Sequence, residues 1–519
     1  RTADGSLLRH DSGVQRKERP LKRAMLAFTH PLLTCDAARA LEAARFGGDE
    51  TKEWPAMQEA GRRIAGAVEA DFEEIGGFPA GARIVVLVGK GHNGGDALLA
   101  THAWLVRHPE ATAQVHFAVG ERSLRPLTTR AWRELSAFAG ARANVIGRYQ
   151  LPASADLCVD GVFGFQFRAP APPLVAELLA EVNACSFRLR AAVDLPSAGL
   201  FRADFTYATG IVKGPAALAP EAGRVRYLDL GFFTGNEPAG NRVLTYRILD
   251  PLAGLRPARC DKRSFGHVFI LGGSRQFPGA VLMSVLAALR SGAGLVTAFV
   301  PESVVASFAA RAPEAMWVGW PETPEGGLAL EGEHLLRERL ERATALVIGP
   351  GLGRERETLA LVRNLVETVT VPLVLDADAL QPEIVAAGNA LRVLTPHAGE
   401  FARISGGLEL GEFVRGKRTT VVLKGAVTQI AGGGAEEVYH SFFGGPVLAR
   451  GGSGDVLAGL VGGQLAQIPT EPLLAAARAV VWHGRAADLL ARARGPTAVT
   501  VVQLLDFLSA ALRESVDEQ

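Results

Sequence analysis

Residues 83–107 read RIVVLVGKGHNGGDALLATHAWLVR. Arg83–Val88 is a short β-branched apolar run, Gly89–Asp96 is a glycine-rich turn, and Ala97–Arg107 has helical spacing. The stretch therefore predicts strand, loop and helix in immediate succession. Working outward, Val115–Val119, Leu157–Val159 and Ala191–Val193 are further strand candidates separated by helical stretches. Upstream, Thr34–Phe46 and Trp54–Phe72 read as helices, the first with Thr34 as its N-cap. Strands alternating with helices imply a parallel sheet covered on both faces. The same pattern returns after Asp261, with strands predicted at Val268–Leu271, Leu295–Val300, Ala345–Ile348, Leu373–Leu375, Arg392–Leu394 and Thr420–Leu423, and a closing helix between Glu471 and Arg494. The fold class is α/β in two three-layer α/β/α domains, placed at 25–240 and 250–519. The weak-pattern stretch Glu237–Arg259, with Pro238, Pro251 and Pro257, reads as the linker. Residues 1–24 read as a disordered start.

Composition bounds the function. The chain has 519 residues, 48% hydrophobic and 21% charged, enough apolar material for two cores. Lys+Arg is 55 against Asp+Glu 54, a net charge of +1, which argues against a nucleic-acid partner or a polybasic membrane binder. Eight of the basic residues are lysine and the rest arginine. The most membrane-like stretch, Ala280–Val300, is broken by Arg290, Gly292 and Gly294, so it reads as helix, turn and strand. Cys35, Cys158, Cys185 and Cys260 show no CxxC and no Cys/His ligand spacing, so a reducing, cytoplasmic compartment is expected.

The first candidate site starts at Gly89–Asp96. Glycines there let backbone N–H groups approach an anion at a helix N-terminus, yet no Gly-Lys-Ser/Thr closes a Walker A loop. Asp160-Gly161-Val162-Phe163-Gly164 and Asp194-Leu195-Pro196-Ser197 lie at neighbouring strand ends, which converge on one crevice in a parallel sheet. Asn93, Asp160 and Ser197 can meet there as an all-oxygen site for a hard cation, with Asp194 facing a substrate as acid or base. For each Asp alone, a helix N-cap is the plainer reading.

In that order, and with Pro31–Arg45 and Met57–Ala65 upstream, these elements resemble the epimerase domain that acts on hydrated NAD(P)H, over about residues 31–235. The resemblance implies K+ bound by Asn93, Asp160 and Ser197, and a catalytic Asp194. It implies substrate contacts from His92, Asn93, Gly94, Gly95 and Asp96 and from the loop Gly164, Phe165, Gln166, Phe167 and Arg168. The chain departs from the pattern at His92, at Ala97, in the 164–168 loop, at Ala198 and in the short segment between Ser197 and Phe205. With Phe165 and Phe167 crowding the ring pocket, slow, K+-dependent epimer exchange is expected.

The second half carries Leu271-Gly272-Gly273-Ser274, Gly349–Gly353, Asp376–Leu380, Thr395–Glu400 and Lys424-Gly425, each ending a predicted strand and together defining one crevice. Decisive is Gly451-Gly452-Ser453-Gly454-Asp455, running into the apolar helix Val456–Leu465. Its N–H groups suit a transferring phosphoryl group, and Asp455 is placed to take a proton from the attacked hydroxyl. An Asp that only complements the helix dipole is the plainer alternative.

These signatures, with Phe265-Gly266-His267, His397–Glu400 and His483–Asp488, resemble the ribokinase-like superfamily over about residues 255–510, and within it the ADP- or ATP-dependent NAD(P)H-hydrate dehydratases. The resemblance implies nucleotide contacts from Lys424, Gly425, Ala426, Val427, Thr428, Gly452, Ser453 and Gly454. It implies substrate contacts from Ala280, Gly351, His397 and Asp455, with Asp455 catalytic, Mg2+ as cofactor and ADP or ATP as co-substrate. Together the resemblances imply a Rossmann-like first domain, a ribokinase-like second domain and a homo-oligomer that repairs hydrated NADH and NADPH. The first domain would interconvert the R and S hydrates and the second would dehydrate the S hydrate. A ribokinase-like small-molecule kinase fused to a non-catalytic sensor or scaffold is the alternative.

Overall fold

The computed structural model describes residues 25–513, apart from 215, 235–236, 238–239, 433 and 435–436. The segment 1–24 lies outside the described residues. The strands before residue 250 are β1 (Thr29–Leu33), β2 (Arg83–Val88), β3 (Thr112–Phe117), β4 (Ala143–Val145), β5 (Ser154–Gly161), β6 (Ser186–Val193), β7 (Phe205–Thr209), β8 (Val212–Lys213), β9 (Arg224–Leu228) and β10 (Arg242–Leu244). After it come β11 (His267–Leu271), β12 (Leu295–Pro301), β13 (Met316–Trp320), β14 (Ala345–Ile348), β15 (Leu373–Leu375), β16 (Arg392–Leu394), β17 (Thr419–Leu423), β18 (Thr428–Gly432) and β19 (Tyr439–Ser441).

The first sheet is wholly parallel, in the order β4-β3-β2-β5-β6-β7-β9. The unbroken run RIVVLV follows from burial on both faces. Ile84, Val86 and Val88 pack with the helices Glu50–Phe72, His92–Arg107 and Pro126–Ala139, while Val85 and Leu87 face the helix Pro173–Ala184. Strand order reverses between β2 and β5, and ligands bind at such a switch point, outside the carboxyl ends of the strands.

The second sheet repeats the device. Strands β13-β12-β11-β14-β15-β16-β17 run parallel with their reversal between β11 and β14, and β18 and β19 continue antiparallel. Val268 and Ile270 of β11 pack with the helices Pro278–Arg290, Ser453–Gln467 and Pro472–Arg494, and Phe269 and Leu271 pack on the opposite face.

This sheet does not stop at the expected boundary near 250. β10 pairs in parallel with β19 through Arg242 and Tyr439, β1 adds antiparallel to β10, and β8 adds to β1. Residues expected in the first domain and in the linker thus complete the sheet of the second. Strands of two to five residues, flanked by proline, carry too little alternation to be read from sequence.

A buried charge cluster also joins the halves. Arg226 on β9 contacts Asp71 at 2.7 Å and Asp488 at 3.0 Å, Arg224 contacts Glu74 and Asp488, and Arg492 contacts Asp71. Burial alone would raise the Asp488 carboxyl, but Arg226, Arg224 and Arg492 outweigh it and hold it below the usual carboxylate range. Among the described residues no helix is long and apolar enough to cross a membrane.

Candidate functional site

At the first switch point the helix begins earlier than its pattern suggests. Gly91 is the extended cap of His92–Arg107, so His92-Asn93-Gly94-Gly95-Asp96 form the opening turns. Glycine is required because a Cβ on Gly94 would lie 2.3 Å from the Gly89 carbonyl oxygen, and one on Gly89 would lie 1.8 Å from that of Val162. Gly94 and Gly95, expected on substrate, are buried and pack against Gly89 and Met57 instead.

A cavity of about 830 Å³ opens here, lined by His92, Asn93, Asp96, the loop 163–168, Asp194 and Lys213, with Glu42 from the helix Cys35–Phe46. Phe167 stacks on Phe163 at 4.3 Å between centroids, and the Lys213 ammonium lies 4.9 Å over the Phe165 ring. The two phenylalanines thus form part of the wall. His92 sits 3.3 Å from Glu53 at the rim.

The three expected cation ligands come together. Ser197 donates its hydroxyl to Asp160 Oδ1 at 2.6 Å and its N–H to Oδ2 at 2.7 Å. Asn93 donates Nδ2 to the Val193 carbonyl at 2.8 Å, which turns its Oδ1 toward Gly164. Burial raises the Asp160 carboxyl to about 6 against the pull of its bonds from Ser197 and Val162. One carboxylate with neutral oxygens fits a large monovalent cation better than Mg2+, which demands octahedral geometry and keeps its waters.

Asp194 has φ +67, rare for a residue with a Cβ, and strain of that kind gathers at functional sites. Its Oδ1 forms a buried ion pair with Lys213 from β8, while Oδ2 has no partner. Burial raises Asp194 and Lys213 pulls it back. Asp96, 7% exposed, is raised well above its usual value by burial and then by Asp194 and Glu42. Glu42 is raised to about 7, chiefly by burial. Neither Lys213 nor Glu42 was expected from sequence. Lys213 left one faint signal, a lysine in the apolar stretch 207–214 (YATGIVKG) over β7 and β8, in a chain whose basic residues are mostly arginine.

At the second switch point Gly452 caps the helix Ser453–Gln467 with φ +96. A helix leaves its first N–H groups without internal partners, so the turn 452–455 presents donors to an anion. Ser453 Oγ lies 2.7 Å from the Leu448 carbonyl and 3.0 Å from that of Arg450, which ties down the loop. The Asp455 carbonyl accepts from Ser284 at 2.7 Å. Burial raises the Asp455 side chain to about 7, with Asp376 adding to the shift and Lys424 opposing it.

Lys424 is 3.1 Å from Asp376 and reaches within 3.2 Å of where a Gly454 Cβ would stand. Burial would lower it, but Asp376 and Glu400 outweigh that and keep it charged. Asp376 also accepts from Thr395 at 2.6 Å. Gly425 and Ala426 are exposed in the turn from β17 to β18 that also holds Val427 and Thr428. Gly351, at φ +68, sits against Ala280 and is held by Ser274 at 2.8 Å.

His397 has a second role that its strand-end position did not reveal. Its Nδ1 accepts from the N–H groups of Gly399 and Glu400, capping the helix Ala398–Ser405. A neutral ring accepting at Nδ1 carries its proton on Nε2, which lies 3.5 Å from Glu400 Oε1 on a side chain that is 61% exposed. Among the described residues no group of three or more His, Cys, Asp or Glu is placed to hold a metal.

The chain matches the family described as NAD(P)H-hydrate dehydratase over residues 268–509, and the YjeF-related protein N-terminus over 55–216. A bifunctional NAD(P)H-hydrate repair enzyme of Moorella thermoacetica is 34% identical over 89% of this chain and 93% of its own length. One of Gloeobacter violaceus is 39% identical over 91% of this chain and 96% of its own. Among solved structures, the ADP/ATP-dependent NAD(P)H-hydrate dehydratase from Bacillus subtilis co-crystallized with ATP/Mg2+ is 28% identical, covers 51% of this chain and 96% of that one, and has a TM-score of 0.45.

Proposed function

Since the chain belongs to the family of bifunctional NAD(P)H-hydrate repair enzymes, we propose that it returns hydrated NADH and NADPH to their reduced forms. The first half interconverts the R and S hydrates, and the second dehydrates the S hydrate at the expense of ADP or ATP. The observation that carries the reading is the turn Gly451–Asp455: helix N–H donors, the Lys424 ammonium and a carboxyl raised to about 7 meet at one point. A kinase with a non-catalytic first half is not favoured, because the family relationship spans both halves.

In the second half the Gly452–Gly454 turn and Lys424 hold the phosphate chain, with Gly425–Thr428 alongside the nucleotide. His397, Gly351 and Ala280 place the hydrated ring. Asp455 takes the proton of the ring hydroxyl as the phosphoryl group arrives. Phosphate then departs far more readily than hydroxide would, which is why nucleotide cleavage accompanies a dehydration. Mg2+, when bound, neutralises phosphate charge.

In the first half Asn93, Asp160 and Ser197 would hold K+, which would supply positive charge beside the Phe163–Arg168 loop. Asp194 faces the ring with Oδ2 free to accept.

The test mixes pure protein, the S hydrate of NADPH, Mg2+ and either nucleotide. Absorbance of the dihydronicotinamide should return with release of one phosphate per ring. Accumulation of a stable phosphorylated product, without that absorbance, would replace the repair reading with a kinase.

A further inference from the structure

The first cavity holds carboxyl groups that its proposed chemistry has not used. Glu42, Asp96 and Asp194 all line it, and Lys213 is paired with Asp194. Glu50, Glu53, Lys90 and Arg125 line the cavity as well, and carboxylates crowded on one wall favour holding protons. Asp96 is 7% exposed in the opening turns of its helix, and burial, with Asp194 and Glu42 adding, raises its carboxyl well above the usual range. Glu42 is different. It stands on the cavity wall, half-buried, on a separate helix from both Asp96 and Asp194. Lys213, Asp194, Glu53 and Asp96 act on it across the pocket, and Arg39 precedes it by three residues on its own helix but is drawn to Asp36.

We propose that Glu42 is a catalytic residue of epimer exchange, donating the proton on which the ring hydroxyl leaves, with Asp194 as its opposite number. The proposal rests on the epimerase reading of this cavity. The nitrogen lone pair of the hydrated ring forms a C=N bond to C6 as the C6–O bond breaks. The departing oxygen keeps that bonding pair, takes the Glu42 proton and becomes water. A water then adds to C6 from the other face, returns the electron pair to nitrogen and gives a proton to the Asp194 carboxylate. Glu42 ends ionised and Asp194 protonated, and the reverse conversion restores both. The Lys213 ammonium, paired with Asp194, favours its ionised form against the burial that raises it. Glu42 stands half-buried on the cavity wall with a carboxyl raised to about 7, so it can give up and regain a proton there, whereas Asp96 is buried in the first turns of its helix.

The test measures exchange between the pure R and S hydrates of NADPH by the full chain in K+, for wild type, Glu42→Gln and Glu42→Asp. The wild-type rate should fall as pH rises through about 7, because the donor must be protonated. Glu42→Gln should lose about 100-fold or more below that pH and lose the descending limb, with hydrate affinity and thermal midpoint preserved. Glu42→Asp should restore part of the rate and the limb. Glu42→Gln exchanging within about threefold of wild type, with the same pH profile, overturns the proposal alone. So does a rate loss matched by lost hydrate affinity, which would make Glu42 a binding group. A wild type no faster than the uncatalysed exchange overturns the epimerase reading and the proposal with it.

Discussion

Asparagine in place of Asp455 is expected to lower nucleotide-dependent dehydration by about 100- to 10,000-fold, the usual cost of losing a positioned base. Nucleotide affinity should stay close to wild type, because in the proposed site the Gly452 turn and Lys424, not the Asp455 side chain, would hold the phosphates. The wild-type rate should rise with pH through about 7, since burial and Asp376 lift the Asp455 carboxyl to that value and the base must be ionised to act. Asparagine cannot titrate, so the rise should vanish with the rate. Single-turnover rates across pH, with nucleotide affinity measured separately, check both points. A variant keeping more than about a tenth of the wild-type rate would remove Asp455 from the role of base.

The second large effect falls on the charge cluster between the halves. Asp488 accepts from Arg224 at 2.9 Å and Arg226 at 3.0 Å through Oδ1, and from the Gly444 N–H at 2.9 Å through Oδ2. Alanine there leaves buried guanidinium groups short of a partner, a change that costs about 3–5 kcal/mol. Because the Asp488 carboxyl is held below its usual value, its contribution is complete above the unfolded-state pKa of about 4 and drains as pH falls through the lower folded value. Urea unfolding of wild type and Asp488→Ala at pH 7 should show the full deficit, narrowing in acid. A deficit under about 1 kcal/mol at pH 7 would mean that the cluster does not join the halves.

This cluster also marks where sequence reading reached its limit. Strands buried on both faces declare themselves as unbroken apolar runs, and Arg83–Val88, Ala345–Ile348 and Leu373–Leu375 have in the structure the bounds their pattern predicts. The glycine turns that follow them place the two crevices, because in a parallel sheet the strand ends fix where ligands bind. Pattern fails where the partner is distant. β1, β8 and β10 are too short to alternate, and their places are set by β19, some 200 residues away from β10. The opening turn at His92 is hidden by two glycines whose presence is dictated by contact with Gly89 and Met57, not by helix propensity. Asp376 was visible as part of a strand-end signature, but its partner Lys424 is brought to it only by the neighbouring strands. Glu42 and Lys213 had no motif at all. They matter because folding places an N-terminal helix and a two-residue strand on the wall of the same cavity.

The central claim is that both halves act in turn on one molecule, and it is tested by starting from the pure R hydrate of NADPH. With K+, Mg2+ and nucleotide present, the wild-type chain should restore the absorbance of the reduced nicotinamide faster than the R hydrate epimerises unaided. Replacing K+ by Na+, or Asp160 by alanine, should slow recovery to that unaided rate, while recovery from the S hydrate continues undiminished. Recovery from the R hydrate at the same unaided rate in all three samples would contradict the account, leaving a dehydratase joined to a domain that takes no part in the reaction.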